Sequence, residues 1–323
     1  MKGSGLKVIP LVVICGPTAS GKTKIGAALA RELDGEVISA DSMQIYKDMG
    51  IVTAVPTEEE MLGVPHHLIS ILDTGTPFSA ADYVRLADKT AEDIFSRGKL
   101  PVVVGGTGLY ISSLVDGISF EDTASDGSVR KRLEQQCDEY GIEPLYSRLA
   151  LCDSEAAENI HINNKKRVIR ALELYEVTGR TMRENMELSR KNKSRYSLCM
   201  IGLNFEDRSN LYDRINRRVD IMIADGMAEQ AKKVWEKGGL GTAAQAIGYK
   251  ELIPYFEGRE DLSSCIDKIK QSTRHYAKRQ LTWFRRDARI SWIKMQKNDQ
   301  SDKIIQKCLN IVAKSKIICY NNK

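Results

Sequence analysis

No apolar run in this 323-residue chain reaches the roughly 20 residues needed to cross a bilayer. The longest runs, Val8 to Cys15 and Leu100 to Val104, fall far short, so no membrane-spanning helix is expected. The opening MKGSGLK leads straight into an apolar run and a glycine loop with no small-residue cleavage site, so the expected compartment is the cytoplasm. There is no CxxC pair either. Cys15, Cys137, Cys152, Cys199, Cys265, Cys308 and Cys319 are scattered and odd in number, which favours reduced, mostly buried thiols and gives no zinc signature. Internal repeats and low-complexity tracts are also absent. With 42% hydrophobic and 28% charged residues, the disordered and fibrous classes are set aside in favour of one large globular domain or two smaller ones.

The charge is uneven. Residues 1–120 carry 10 Lys and Arg against 14 Asp and Glu, a net of −4, which leaves 38 against 29, or +9, for the remainder. The basic character is therefore regional, and it suggests a polyanionic partner held by the second part of the chain.

The two long apolar runs and the shorter Val37–Ala40 are β-branched and bounded by Gly or Pro, as buried parallel strands are. Helical patterns, Lys22–Leu33 and Ala80–Arg97, separate them. The expected fold is α/β: a parallel sheet covered by helices on both faces, with ligands at the carboxyl ends of the strands. After Phe120 the chain turns helical and charged, over Ser128–Tyr140, Pro144–Leu151 and Lys165–Thr178 closed by Gly179. Tyr196–Phe205 reads as a strand returning to the sheet, and Leu211–Lys237 and Asp267–Arg286 as two long helices. The expected division is a first part of the core at 1–119, an inserted all-helical lobe at 120–195 and the rest of the core at 196–323, ending in a loose tail, KSKIICYNNK.

Gly16-Pro17-Thr18-Ala19-Ser20-Gly21-Lys22-Thr23 fits GxxxxGK[ST] between a predicted strand and a predicted helix, which is the setting the motif requires. Its backbone N–H groups can surround phosphate oxygens, Lys22 can reach the outer phosphates, and the Thr23 hydroxyl can ligate Mg²⁺. A nucleotide triphosphatase or kinase also needs a carboxylate after a second apolar strand. The obvious strand, LPVVVGGTG at 100–108, ends in glycines without one. An aspartate appears earlier, in VISADSMQIY: Asp41 could support the metal or take a proton from an acceptor held beside the phosphates. Ser42 competes as a helix cap. Gly105-Gly106-Thr107-Gly108 lets backbone approach a ligand, or makes a tight turn. His66-His67 has no metal partner at ligand spacing and reads as structural.

Two basic stretches follow. From His161 to Arg195, ten cations (Lys165, Lys166, Arg167, Arg170, Arg180, Arg183, Arg190, Lys191, Lys193 and Arg195) face four glutamates. From Lys268 to Lys294, nine face Asp287 alone and are interleaved with His275, Tyr276, Trp283, Phe284 and Trp292. One such run is usually a solvated helix face. Two of them, beside an acidic phosphate-binding region, suit a nucleic-acid backbone and unstacked bases.

Taken together, GPTASGKT (16–23), ISADSMQIY (38–46), GVPHHL (63–68), VVVGGTGLY (102–110), RVIRALE (167–173), AIGYKE (246–251) and YAKRQLTWFR (276–285) make the chain similar, over nearly its whole length, to the bacterial tRNA dimethylallyltransferases, also called tRNA isopentenyltransferases. The resemblance implies transfer of a dimethylallyl group from dimethylallyl diphosphate to the N6 amine of the adenine 3′ of the anticodon, with Mg²⁺ as cofactor and pyrophosphate as product. It implies Asp41 as general base, with Lys22 and Thr23-bound Mg²⁺ on the leaving diphosphate. Arg214 or Arg218 would add to that clamp. The acceptor base must be flipped out of its stack. By the same resemblance, tRNA contacts fall to Asp41, Ser42, Met43, Gln44, Thr107 and Arg130, and to Lys166, Arg167, Val168, Ile169 and Arg170. Gln245, Ala246, Ile247, Gly248, Tyr249 and Lys250 belong to the same set, as do Lys278, Arg279, Gln280, Leu281, Thr282, Trp283, Phe284 and Arg285. The implied partner is a tRNA anticodon stem-loop bound by a monomer, with no membrane.

Two positions depart from the family pattern. Val55 stands where GTAKPT has lysine, which removes any phosphate contact there, and Asn164 stands where IHxND has aspartate. The eukaryotic zinc finger is missing, as Cys308 and Cys319 have no histidine partners. The rival readings are a transferase that prenylates free adenine nucleotides, a P-loop kinase or NTPase, and an RNA-binding protein with a vestigial loop. The first would not need the basic lobe or KRQLTWFR, the second should hydrolyse nucleotide, and the third would not need an intact Lys22-Thr23 pair and Asp41.

Overall fold

A computed structural model of the chain describes residues 8–118, 127–189, 194–315 and 317. Arg190, Lys191, Lys193, Cys319, the opening MKGSGLK and most of the tail lie outside the described residues. The chain divides into two compact units, one formed by Met1–Val115 with Arg195–Lys323 and the other by Asp116–Ser194.

The first unit is built on a sheet of β1 (Ile9–Cys15), β2 (Gly35–Ala40), β3 (His66–His67), β4 (Leu100–Gly105), β5 (Tyr196–Phe205) and β6 (Ile290–Met295), in the order β3-β2-β4-β1-β5-β6. Every neighbouring pair is parallel, with Val12 opposite Val102 and Cys199 across the central strand. Parallel strands need crossovers, and helices supply them: α1 (Lys22–Glu32), α2 (Glu58–Met61), α3 (Ala80–Ser96) and α4 (Gly108–Val115) in the first segment. All seven residues of β1 are buried because both sheet faces are covered. Val12 and Ile14 pack with Ile25 and Leu29 of α1, whereas Leu11 and Val13 pack with Tyr83, Ala87 and Ile94 of α3 and Ile111 of α4.

His66 and His67 serve the sheet edge. His66 Nδ1 pairs with the Val64 carbonyl at 2.8 Å and His67 Nε2 with Glu36 Oε2 at 2.7 Å. Arg97 forks onto both oxygens of Glu36, which holds that buried carboxyl down at about 2. Each histidine thus has one ring nitrogen engaged by the protein at the sheet edge.

The second unit contains α5 (Ser128–Tyr140), α6 (Glu143–Cys152), α7 (Ser154–Asn159), α8 (Lys165–Thr178) and α9 (Met182–Ser189) around Leu133, Leu149, Val168, Ile169 and Leu172. Asn164 caps α8, its side chain accepting from the Arg167 N–H, so this departure from the family pattern still does the work of a cap.

Returning to the first unit, the stretch read as one helix over Leu211–Lys237 is two, α10 (Arg208–Ala224) and α11 (Met227–Lys237). Gly226, at φ 94°, breaks them where most side chains would be strained. After α12 (Ile253–Phe256), α13 (Leu262–Phe284) starts earlier than its apolar pattern implies because Asp261 caps it, accepting from the Ser264 N–H. The edge strand β6 and the closing helix α14 (Ser301–Lys314) were not foreseen. Among the described residues no helix is long and apolar enough to cross a membrane.

Candidate active site

Three loops leave the carboxyl edge of neighbouring strands. The first, after β1, is the phosphate loop. Ala19 and Gly21 both take positive φ (61° and 85°), and α1 begins without a side-chain cap. Its first-turn N–H groups are thus open to an anion. The Ser20 hydroxyl is buried and unpartnered among the described residues, a second sign of a ligand not formed from the protein itself.

The second loop, after β2, carries Asp41, whose Oδ1 accepts from the Met43 and Gln44 N–H groups at 2.9 and 3.4 Å. This leaves Oδ2 free of that turn. Gln44 donates to the carbonyls of Thr53 and Ala54, fixing the segment beside Val55. The third, Gly105–Gly108 after β4, packs against protein: a Cβ at Gly106 would lie 2.1 Å from Gln280 Nε2. Thr107 holds the second loop, its Oγ1 accepting from the Ser42 N–H at 3.0 Å. The N-cap alternative for Ser42 fails because residues 42–45 form a turn and no helix starts there.

These loops enclose a cavity of about 240 Å³. Its lining includes Thr18, Lys22, Thr23, Asp41 and Arg218 and also the apolar Val52, Ile215, Val219, Met222, Met227 and Ile269. α10 contributes to both kinds of lining. Arg214 donates through Nε to the Ala19 carbonyl of the phosphate loop at 2.9 Å, Arg218 one turn on faces the cavity, and Met222 a further turn on is apolar. At 1.5 Å per residue, Arg214 to Met222 spans about 12 Å. Arg214 thus braces the loop while Arg218 faces its contents.

Burial pushes the Lys22 ammonium down to about 8 against the opposing pull of Asp41, with Arg218 lowering it further. Arg218 is also shifted down by burial. Two desolvated cations beside a phosphate loop, with one carboxylate opposite, make a site ready for an anion. Cys15, just before the loop, is pushed up to about 12 by burial and is no nucleophile at neutral pH.

The remaining predicted residues separate into three groups. Met43, Gln44, Gln245, Ala246, Ile247, Lys250 and Arg279 line the cavity. Lys278, Thr282, Trp283 and Arg285 lie exposed at the end of α13, where Lys278, Arg279, Thr282 and Trp283 form an open groove with His275 and Arg286. Tyr249, Gln280, Leu281 and Phe284 are buried, so the structure corrects the expectation that they present side chains to RNA: they face inward on elements whose other face is open. Sequence reasoning had noted Tyr276 only as an aromatic within the basic stretch and had not placed it, Thr273 or the apolar Met222 and Met227 at the site, where all four line the cavity. Tyr276 carried one visible signal: it lies four residues before Gln280, on the same helix face.

A family model described as IPP transferase matches residues 44–287. The chain belongs to the IPP transferase family. A tRNA dimethylallyltransferase of Acetivibrio thermocellus is 47% identical over 92% of this chain and 95% of its own length. The crystal structure of the full-length tRNA isopentenylpyrophosphate transferase from Bacillus halodurans is 46% identical, with a TM-score of 0.71, covering 95% of this chain and 96% of that one. A eukaryotic dimethylallyltransferase acting on tRNA is 27% identical with a TM-score of 0.81, over 95% and 80%.

Within this IPP transferase family member, the helical unit carries its own share of the predicted contacts. Lys166 and Arg167 are exposed on α8, Arg170 pairs with Glu173, and Arg130 pairs with Glu134 on α5. Val168 and Ile169 turn into the core of that unit, which corrects the reading of the whole 166–170 stretch as contacts: a helix can present only one side of such a run.

Proposed function

We propose that this chain transfers the dimethylallyl group of dimethylallyl diphosphate to the N6 amine of the adenine 3′-adjacent to the anticodon in tRNA, releasing pyrophosphate. The observation that carries the reading is the cavity itself, which a phosphate loop and a carboxylate line together with a set of apolar side chains. A diphosphate ester with a short hydrocarbon tail has that polarity.

In this mechanism Lys22, Arg218 and the open N–H groups of α1 hold the diphosphate. The adenine amine attacks C1 of the prenyl group, the C1–O bond breaks with its electron pair going to pyrophosphate, and Asp41 accepts the amine proton. Lys22 and Arg218 meet the charge that grows on the leaving oxygen, in a site where desolvation strengthens the attraction. The Thr23 hydroxyl offers a hard oxygen donor that suits Mg²⁺ beside a substrate phosphate, and the ion when bound would supply further charge neutralisation there. The acceptor adenine has to leave its stack to reach Asp41. The open groove of His275, Lys278, Arg279, Trp283 and Arg286 supports a role in holding the RNA that presents it.

The test offers radiolabelled dimethylallyl diphosphate and Mg²⁺ with unmodified tRNA, with AMP, or alone. Label in tRNA alone is the expected result. Label in AMP would transfer the assignment to the free-nucleotide enzymes, and no label with either acceptor, alongside ATP turnover, would overturn it.

A further inference from the structure

Gln280 was expected among the RNA contacts, yet it is 4% exposed and its carboxamide is fully engaged inside the protein. Its Oε1 accepts from the Thr18 N–H of the phosphate loop at 2.8 Å, and its Nε2 donates to the Gly106 carbonyl, after β4, at 3.0 Å. The Tyr276 hydroxyl, one helical turn earlier, lies beside the Gln280 and Thr107 side chains and interacts with both. Thr107 in turn accepts from the N–H of Ser42, the neighbour of Asp41. One amide on α13 therefore ties the donor loop to the turn after β4, and through Tyr276 and Thr107 to the loop of the proposed base.

The fit is close. A Cβ at position 106 would strike Nε2, so the carboxamide occupies space that only glycine leaves. A glutamine spans the two loops because it is the side chain that offers an acceptor and a donor on one planar head at this reach. It also removes the Thr18 N–H from the set available to an anion, leaving the amides at the start of α1 for that purpose.

We propose that Gln280 is a positioning residue for the donor diphosphate, fixing the phosphate loop against the strand edge rather than touching RNA. This rests on the prenyl-transfer reading above. The neighbours of Gln280 on the outer side of the helix, Lys278, Arg279 and Trp283, are exposed, so one helix holds the donor loop with one face while presenting cations with the other. Losing the carboxamide leaves the Thr18 N–H and the buried Gly106 carbonyl without this partner and lets the loop relax, a misplacement that weakens binding and catalysis together.

The experiment measures steady-state transfer by the whole protein for wild type, Gln280→Met and Gln280→Asn, varying dimethylallyl diphosphate and the tRNA anticodon stem-loop in turn, with thermal melting as a check on folding. Gln280→Met, of similar length but without either hydrogen bond, should raise KM for the diphosphate about tenfold and lower kcat while KM for the RNA stays within about twofold. Gln280→Asn keeps the amide at shorter reach and should lose less; if the Met variant does not fold, the same split in the Asn variant decides the matter. A raised RNA KM with an unchanged diphosphate KM would make Gln280 an RNA contact and overturn the proposal. Equal losses for both substrates, with a lowered melting temperature, would overturn it as well. Were wild type itself to transfer no prenyl group to RNA, the functional reading would fall first.

Discussion

Lys22 and Lys278 carry the same ammonium on the same four-carbon stem, one on the floor of a cavity beside Arg218 and Asp41, the other on the open end of α13 beside Arg279 and Arg286. The first is largely stripped of water, which pulls its pKa down to about 8 and leaves it strongly drawn to any anion that enters. The second keeps its hydration, and its attraction to a phosphate is screened by salt over about 10 Å at 0.1 M. A third class is paired: Arg183 meets Glu155 and Glu187 on the helical unit, and Lys268, at the start of α13, meets Glu260. The same charge thus serves chemistry, capture or only local packing, according to what surrounds it.

The largest expected effect is at the carboxylate that faces the buried cations. Asp41→Asn keeps the shape and removes the base, so single-turnover transfer should fall by about 10²–10⁴-fold with RNA binding little changed. A variant within a fewfold of wild type would remove Asp41 from the proton transfer. Next comes Lys22→Met, expected to weaken dimethylallyl diphosphate binding about ten- to hundredfold, the range for a missing charge-assisted hydrogen bond, and by nearly the same factor at low and moderate salt. The pH dependence has a definite sign. Below about 8 the free protein already holds Lys22 protonated, and above it a proton must be taken up on binding, so diphosphate affinity should decline as pH rises through 8. Lys22→Arg should lack that break because its guanidinium stays charged. A wild-type profile flat from pH 7 to 9.5 would contradict the desolvated ammonium.

Much of this contrast was legible before the fold was known, and the part that was not has physical causes. β1, β4 and the loop between β1 and α1 declare themselves because a buried parallel strand is uniformly apolar and a phosphate loop needs glycine at fixed places. β6 escaped because only Ile290, Ile293 and Met295 of this edge strand are buried, and Lys294 within it reads as part of a basic run. The break between α10 and α11 escaped because apolar spacing continues on both sides of Gly226, through Val219 and Ala231. At the site, Lys22, Thr23 and Asp41 followed from motif chemistry, whereas Met222, Met227 and Tyr276 reach the cavity only through packing between distant segments. Counting charge found both basic stretches but could not tell a paired arginine from an unpaired one. Arg170 and Arg183 have carboxylates within reach on their own or a neighbouring helix, while Lys278, Arg279, Arg285 and Arg286 make no ion pair among the described residues.

That difference sets the smaller predictions. Lys278→Gln with Arg286→Gln should weaken tRNA binding about tenfold at moderate salt and reduce the slope of log affinity against log salt by about 2, roughly one for each phosphate no longer neutralised. Diphosphate binding should be untouched, which would separate the open face from the cavity. An unchanged slope would mean those cations point away from the RNA. At the bottom of the scale, Arg183→Ala removes a cation that already has two carboxylate partners, both on the surface. Such pairs are worth about 0–1 kcal/mol, and a cation so engaged has little left to offer a phosphate, so tRNA affinity should stay within about twofold and its salt slope should not move. A drop in affinity as large as that of the α13 double variant would show that the helical unit releases Arg183 from Glu155 and Glu187 when RNA arrives, and the line between paired and available charge would then have to be drawn on the complex instead of the free protein.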